Sequence, residues 1–304
     1  MKMAAESEKW KLFDLKELER QYSSLEWSHR KTTIDVMATY MAFLKEKSAE
    51  AKSCIDCELG IKIGDAERHK LDIFGQKTAA KVAPILVYIH GGYWQLLGRE
   101  LSSYMVKPIV KMGGIVCPIG YSIAPHGTME QIVEEVKKSV AYVLKLAKDR
   151  GSRGVYVCGH SAGGHLAAMM LTVDWQAEGV DSSLFKGVFP VSGVYDLRPL
   201  VQTSVNKPLK MTEESAQQIS PAFLTKNIIK FNRNRVIKMF IAEYDSEEFH
   251  RQGEEFYNSL KSAGLTISNR VIPDTDHFDV IEKLAEDDYF ITKEIIKTMG
   301  LTAD

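Results

Sequence analysis

The sequence predicts an α/β fold, a mostly parallel sheet flanked by helices. Three observations predict it. Short, continuously apolar runs recur along the chain and end in glycine or turn residues. Such runs fit strands buried on both faces, as parallel strands are. Between them lie longer segments with apolar residues three and four apart, the spacing of helices. At 304 residues, 45% of them hydrophobic and 26% charged, the chain can also bury a sizeable core as one unit.

The elements follow in order. Residues 12–50 are largely polar, with Ile34, Met37, Tyr40, Met41 and Leu44 at helical spacing. They predict a helical N-terminal extension, residues 1–50, packed over the main body. Residues 57–64 and 70–74 alternate apolar with polar and predict a leading antiparallel hairpin. Residues 84–90 and 114–119 are continuous apolar strands. Residues 129–149 carry Ile132, Val136, Val140, Val143 and Leu144 on one stripe and predict a helix. A strand at 154–158, a helix at 165–173 and a strand at 185–193 come next. Residues 197–230 are irregular and hold Pro199, Pro208 and Pro221, so they predict a partly helical insertion, a cap or lid. A strand at 236–242, an amphipathic helix at 246–263 closed by Gly264, a strand at 266–272 and a helix at 278–299 complete the chain. No repeat or linker divides it, so residues 1–304 read as a single domain.

Charge and cysteine content exclude several function classes. The net charge is −1, with an isoelectric point near 6.7. That balance gives no electrostatic case for a nucleic acid or an anionic membrane partner. Short basic clusters such as Lys137-Lys138 and Arg233-Asn234-Arg235 read as solvated faces. The first residues show no apolar signal region, and no apolar run approaches the ~20 residues a membrane span needs. Four cysteines are too few to staple a chain of this size. Cys117 and Cys158 lie in strand-like runs and read as buried thiols. Cys54 and Cys57 form one CxxC without the second ligand pair that a zinc site needs. These features predict a reducing, cytoplasmic setting.

The strongest local signal is Gly159-His160-Ser161-Ala162-Gly163-Gly164. It contains G-x-S-x-G between a strand and a helix, the context of a nucleophile elbow on an α/β-hydrolase fold. A serine on that strained turn projects its hydroxyl above the sheet. The residues two before and two after must be small, because backbone packs closely there. A tight glycine turn with an incidental serine is the plainer explanation, and the flanking strand and helix weigh against it.

Upstream, His90-Gly91-Gly92-Tyr93-Trp94 follows a buried strand. Glycines there let backbone N–H groups reach a substrate oxygen. Gly92 and Tyr93 are candidate oxyanion donors, Gly91 is a third, and Ala162, just after the nucleophile, supplies another. His90 reads as a structural hydrogen bonder.

A serine needs a base. Three histidines follow Ser161 in the chain: His165, His250 and His277. His165 sits in the nucleophile helix and His250 on the polar side of a later helix. His277 follows the last strand, where this fold places its base. The acid should follow the preceding strand, which makes Asp245 the choice, with Glu243 and Asp196 as rivals. Asp274 and Asp276 are too near His277 to orient it easily and read as turn residues.

Together the His-Gly-Gly loop, Tyr121-Ser122-Ile123-Ala124-Pro125 and Gly-His-Ser-Ala-Gly-Gly resemble the esterases related to hormone-sensitive lipase. His-Gly-Gly-x-Trp at His90 to Trp94, Ser192-Gly193-Val194-Tyr195-Asp196-Leu197 and the segment Leu18 to Ser24 are more similar to the kynurenine formamidase (arylformamidase) family. The likeness covers nearly the whole chain and has the look of an animal member, an insect being one candidate source. The esterases usually carry a third glycine where Tyr93 stands and Asp-Tyr-Arg-Leu-Ala-Pro where this chain has Gly120 to Pro125. Those departures weaken the lipase reading more than the formamidase one.

The resemblance implies hydrolysis of N-formyl-L-kynurenine to L-kynurenine and formate, without metal or organic cofactor, by a homodimer. The formyl group is small, so the bulky Tyr93 and Trp94 beside the oxyanion loop are candidates to face the aryl ring. Core or lid packing is the competing account of that pair. Two further readings stay open: a carboxylesterase for short acyl esters using the same residues, and a binding protein on an inactive hydrolase fold.

Overall fold

The computed structural model describes residues 8–301. Its framework is one eight-stranded sheet in the order β1-β2-β4-β3-β5-β6-β7-β8. Before it come α1 (Leu15–Gln21), α2 (Ser24–Trp27) and α3 (Val36–Cys54). Strands β1 (Cys57–Lys62) and β2 (Lys70–Phe74) form the antiparallel hairpin, and β2 runs antiparallel to β4. Then follow β3 (Ile85–Ile89), α4 (Val106–Lys111), β4 (Ile115–Ile119) and α5 (Met129–Arg150). Ser161 lies between β5 (Val155–His160) and α6 (Ala162–Met169). Beyond it lie β6 (Phe185–Val191), the short helices α7 (Asn206–Leu209), α8 (Glu213–Gln218) and α9 (Thr225–Phe231), and β7 (Val236–Ala242). The chain closes with α10 (Glu247–Ser262), β8 (Ile267–Ile272), α11 (Asp279–Glu282) and α12 (Phe290–Thr298). Every pairing from β4 across to β8 is parallel.

Alternation along the strands explains the layers. Ile85, Val87 and Ile89 of β3 point into one core, with Val140 of α5, Leu166 of α6 and Phe256 of α10. Leu86 and Tyr88 point into the other, with Leu44 of α3, Ile109 of α4 and Ile295 of α12. A strand covered on both faces must be apolar at every position, and β3 and β4 are fully buried throughout. The α5 helix starts on a Thr128 cap and stops at Gly151, whose φ of 73° suits a left-handed C-cap.

Three elements differ from the sequence expectation. The α6 helix begins at Ala162, directly after Ser161, rather than at His165. The expected helix over 278–299 is broken, because Glu286 and Tyr289 are extended. Glu286, Asp287 and Asp288 lie at the break. Carboxylates oppose the dipole at the end of one helix and suit the start of the next. In α3 the apolar stripe divides: Tyr40 and Leu44 are buried, whereas Met37 and Met41 are partly exposed because they line a cavity.

Candidate active site

The strand-to-helix turn places Ser161 at φ 55° and ψ −119°. A non-glycine residue held there stores strain of order 1–3 kcal/mol. Its neighbours are small because backbone surrounds them. A Cβ on Gly159 would lie 2.0 Å from the Gly163 carbonyl oxygen, and one on Gly163 would lie 2.1 Å from that of Ile89. The His90–Trp94 loop packs directly on Ser161: a Cβ on Gly91 would lie 3.1 Å from the Ser161 Cβ. Gly92 takes φ 99°, and Tyr93 and Trp94 also have positive φ, at 49° and 58°. Among the described residues, the N–H groups of Gly92, Tyr93 and Ala162 donate to no protein acceptor. His90 braces this loop. Its Nδ1 lies 2.9 Å from the Gly91 carbonyl oxygen, and Tyr121 stacks on its ring at 4.2 Å while donating to the His90 carbonyl.

His277 and Asp245 meet as a buried pair, with Nδ1 2.6 Å from Oδ1. The other Asp245 oxygen accepts from Ser192 Oγ at 2.5 Å and from the Ala242 N–H at 3.2 Å. The rival acids are engaged elsewhere. Glu243 accepts from the Asp274 N–H, and Asp196 is forked onto Arg198. The two other downstream histidines are likewise placed apart. His165 is fully buried with Nε2 on the Ile219 carbonyl, and His250 reaches the Glu243 carbonyl. Burial holds His90 and His165 at a pKa of about 4, and burial beside His277 holds His160 well below the ordinary value.

Ser161 and His277 open on one cavity of about 590 Å³. Gly92, Tyr93 and His160 form its floor with them, and Phe278 adds to the wall. The rest is lined by Glu19, Tyr22 and Leu25 of the N-terminal segment, by Met37, Tyr40 and Met41 of α3, and by Ser204 and Val205 of the insertion. The cover is tied down. Tyr93 donates its hydroxyl to the Tyr22 carbonyl at 2.5 Å, and Glu19 accepts from the N–H and hydroxyl of Ser204.

Trp94 is not part of this cavity. It is fully buried, edge-on to His165 at 5.1 Å. Its indole is packed in the core, so the expectation that it faces a substrate ring is corrected, while Tyr93 does line the wall. Reading the sequence missed two polar residues. Ser192 was legible only as part of a motif, and Asp276 was read as a turn residue. The latter carboxylate is fully buried and gathers bonds from Ser28 and Arg30. Contacts so distant in sequence leave no local signal.

Residues 71–234 match a family model described as BD-FAE. Kynurenine formamidase from Salmo salar is 42% identical over 96% of this chain and 99% of its own length. The Danio rerio kynurenine formamidase is 40% identical over 96% and 98%, and that of Drosophila melanogaster 28% over 74% and 76%. Among solved structures, a putative thioesterase from a Silicibacter species superposes with a TM-score of 0.74 at 24% identity, covering 91% of this chain and 98% of that one.

Proposed function

The chain belongs to the kynurenine formamidase family, and from that premise we propose how its α/β-hydrolase site works. It hydrolyses the formamide of N-formyl-L-kynurenine to L-kynurenine and formate, a step of tryptophan catabolism. The observation that carries the mechanism is the buried His277–Asp245 pair opening, with Ser161, on one cavity.

Asp245 accepts from Nδ1–H of His277, which leaves Nε2 free to act as base. His277 takes the Ser161 proton, and Oγ attacks the formyl carbon. The oxyanion forms against the N–H groups of Gly92, Tyr93 and Ala162, with Gly91 as the further candidate. His277 then protonates the aryl nitrogen, the C–N bond breaks, and the formyl group stays on Ser161. Water, deprotonated by the same histidine, releases formate and restores the serine. An aromatic amine is a weaker base than an alkyl amine, so an esterase-like site can expel it. The wall formed by Tyr93, pinned to Tyr22, favours an acyl group as small as formyl.

In this reading residues 8–50 and 197–230 are covers on one domain, and the enzyme works in the cytoplasm as a homodimer, which light scattering of the purified protein tests. The deciding activity measurement is hydrolysis of N-formyl-L-kynurenine beside acetyl and butyryl esters. A kcat/KM of roughly 10⁴ M⁻¹s⁻¹ or more on the formamide is expected. Negligible formamide cleavage with brisk ester cleavage would make the protein a carboxylesterase instead.

A further inference from the structure

Asp276 immediately precedes His277 in the loop after β8, and its side chain has no exposed surface. Five donors converge on its two oxygens. Oδ2 accepts from Ser28 Oγ at 2.5 Å and from Arg30 Nε at 2.8 Å. Oδ1 accepts from Arg30 Nη2 at 3.0 Å and from the N–H groups of Phe278 and Asp279, both at 2.9 Å. The last two bonds arch over His277, so the carboxylate brackets its backbone from both sides. The third guanidinium nitrogen, Nη1, reaches Glu282 in α11 at 3.1 Å. Phe278, the other chain neighbour of His277, packs edge-on against Tyr40 of α3 at 5.3 Å. Both residues flanking His277 are therefore held by the N-terminal segment, the same segment that walls the cavity.

An arginine forking both oxygens of a buried carboxylate fixes orientation as well as position. A base must meet its partner within a narrow range of distance and angle, and a misplacement of about 1 Å costs on the order of 10²-fold. Asp245 fixes the ring of His277 through Nδ1 only, so the backbone needs its own anchor.

We propose that Ser28 and Arg30, acting through Asp276, are positioning residues for His277, so that the N-terminal segment sets the reach of the base toward Ser161. The proposal rests on His277 being the base for Ser161 but not on the identity of the substrate.

The test uses Arg30→Gln, Arg30→Lys and Ser28→Ala in the full chain. Two rates are read: labelling of Ser161 by a fluorophosphonate, and hydrolysis of N-formyl-L-kynurenine. Labelling reports activation of the serine whatever the natural substrate, so it separates this proposal from the formamidase reading. For Arg30→Gln, labelling and kcat should fall together by roughly 10–100-fold, with KM within about 3-fold. Arg30→Lys keeps the charge and loses the fork, and should fall between Arg30→Gln and wild type. Ser28→Ala should show a smaller loss of the same kind. A cover with a merely structural role would change KM and leave labelling untouched, and that result overturns the proposal. So does wild-type labelling in a folded Arg30→Gln. If Arg30→Gln does not fold, the same two rates in Ser28→Ala and Arg30→Lys decide.

Discussion

At the scale of single residues, chemistry and scaffold separate cleanly. Ser161→Ala removes the attacking atom and leaves the turn intact. Turnover should fall by about 10⁶, by analogy with nucleophile knockouts of serine hydrolases. A residual rate near wild type would remove Ser161 from the mechanism. Asp245→Asn keeps the shape but offers the His277 Nδ1 a different partner, and the loss should be about 10⁴ in kcat. Glu243→Gln is the matched control: Glu243 accepts from the Asp274 N–H, so its kcat should stay close to wild type. Reversal of that order would make Glu243 the acid. Ser161 and His277 could be singled out in the sequence as candidate nucleophile and base because each sits in a local context that such chemistry demands, G-x-S-x-G at a turn and a histidine after the last strand. Ser192 was not, because its bond to Asp245 spans 53 residues and depends on two strand ends lying side by side.

At the scale of elements, strands β3 to β7 were legible from largely apolar runs, since burial on both faces leaves such a signature, whereas β2 was read from alternation and half of β8 is exposed. The N-terminal cover was legible only as helices. Its purpose depends on which residues face the cavity, and a half-exposed methionine looks like any surface methionine until the opposite wall is known. Two predictions belong here. In Gly163→Ala the new methyl would press on the carbonyl oxygens of Ile89 and His90, at 2.1 and 2.6 Å. Strand β3 is locked between β4 and β5 and has nowhere to move. Urea denaturation should show a loss of at least ~1–3 kcal/mol, and an unchanged midpoint would mean that the elbow yields. Tyr93→Phe deletes the hydroxyl that pins the oxyanion loop to Tyr22. It should lower stability by about 1 kcal/mol and raise KM for N-formyl-L-kynurenine while largely sparing kcat. If instead kcat falls with KM unchanged, the hydroxyl serves the transition state rather than the cover.

At the scale of the whole molecule, four buried histidines whose pKa burial lowers, His69, His90, His160 and His165, make the fold sensitive to acid. Burial holds His90 and His165 at about 4, and His160 also lies well below the ordinary 6.5. The unfolded chain binds protons near pH 6.5 that the folded chain refuses. Their contribution is therefore complete above pH 6.5 and is lost as pH falls toward 4. By pH 4, His90 and His165 should each have forfeited roughly 3 kcal/mol, since each pH unit between the unfolded and folded values costs about 1.4 kcal/mol. That is a large part of the ~5–15 kcal/mol typical of a folded domain. Some carboxyls act in the opposite direction. Burial raises Asp72, Glu255, Asp279 and Glu282, so they favour the fold as they protonate. Asp276 adds to the acid loss: burial would raise it, but the bonds from Arg30 and Ser28 prevail and hold it below the usual range. The net slope thus mixes several groups, and a single substitution isolates one of them. His165 donates only through Nε2–H, to the Ile219 carbonyl, and a glutamine amide can donate to the same carbonyl. Urea denaturation of wild type and His165→Gln between pH 7.5 and 4.5 should show the wild type losing stability below pH 6.5. The variant should lose about 1.4 kcal/mol less per pH unit in the lower half of that range. Parallel curves for the two proteins would mean that His165 takes up its proton inside the fold, and that its burial against Trp94 does not exclude charge.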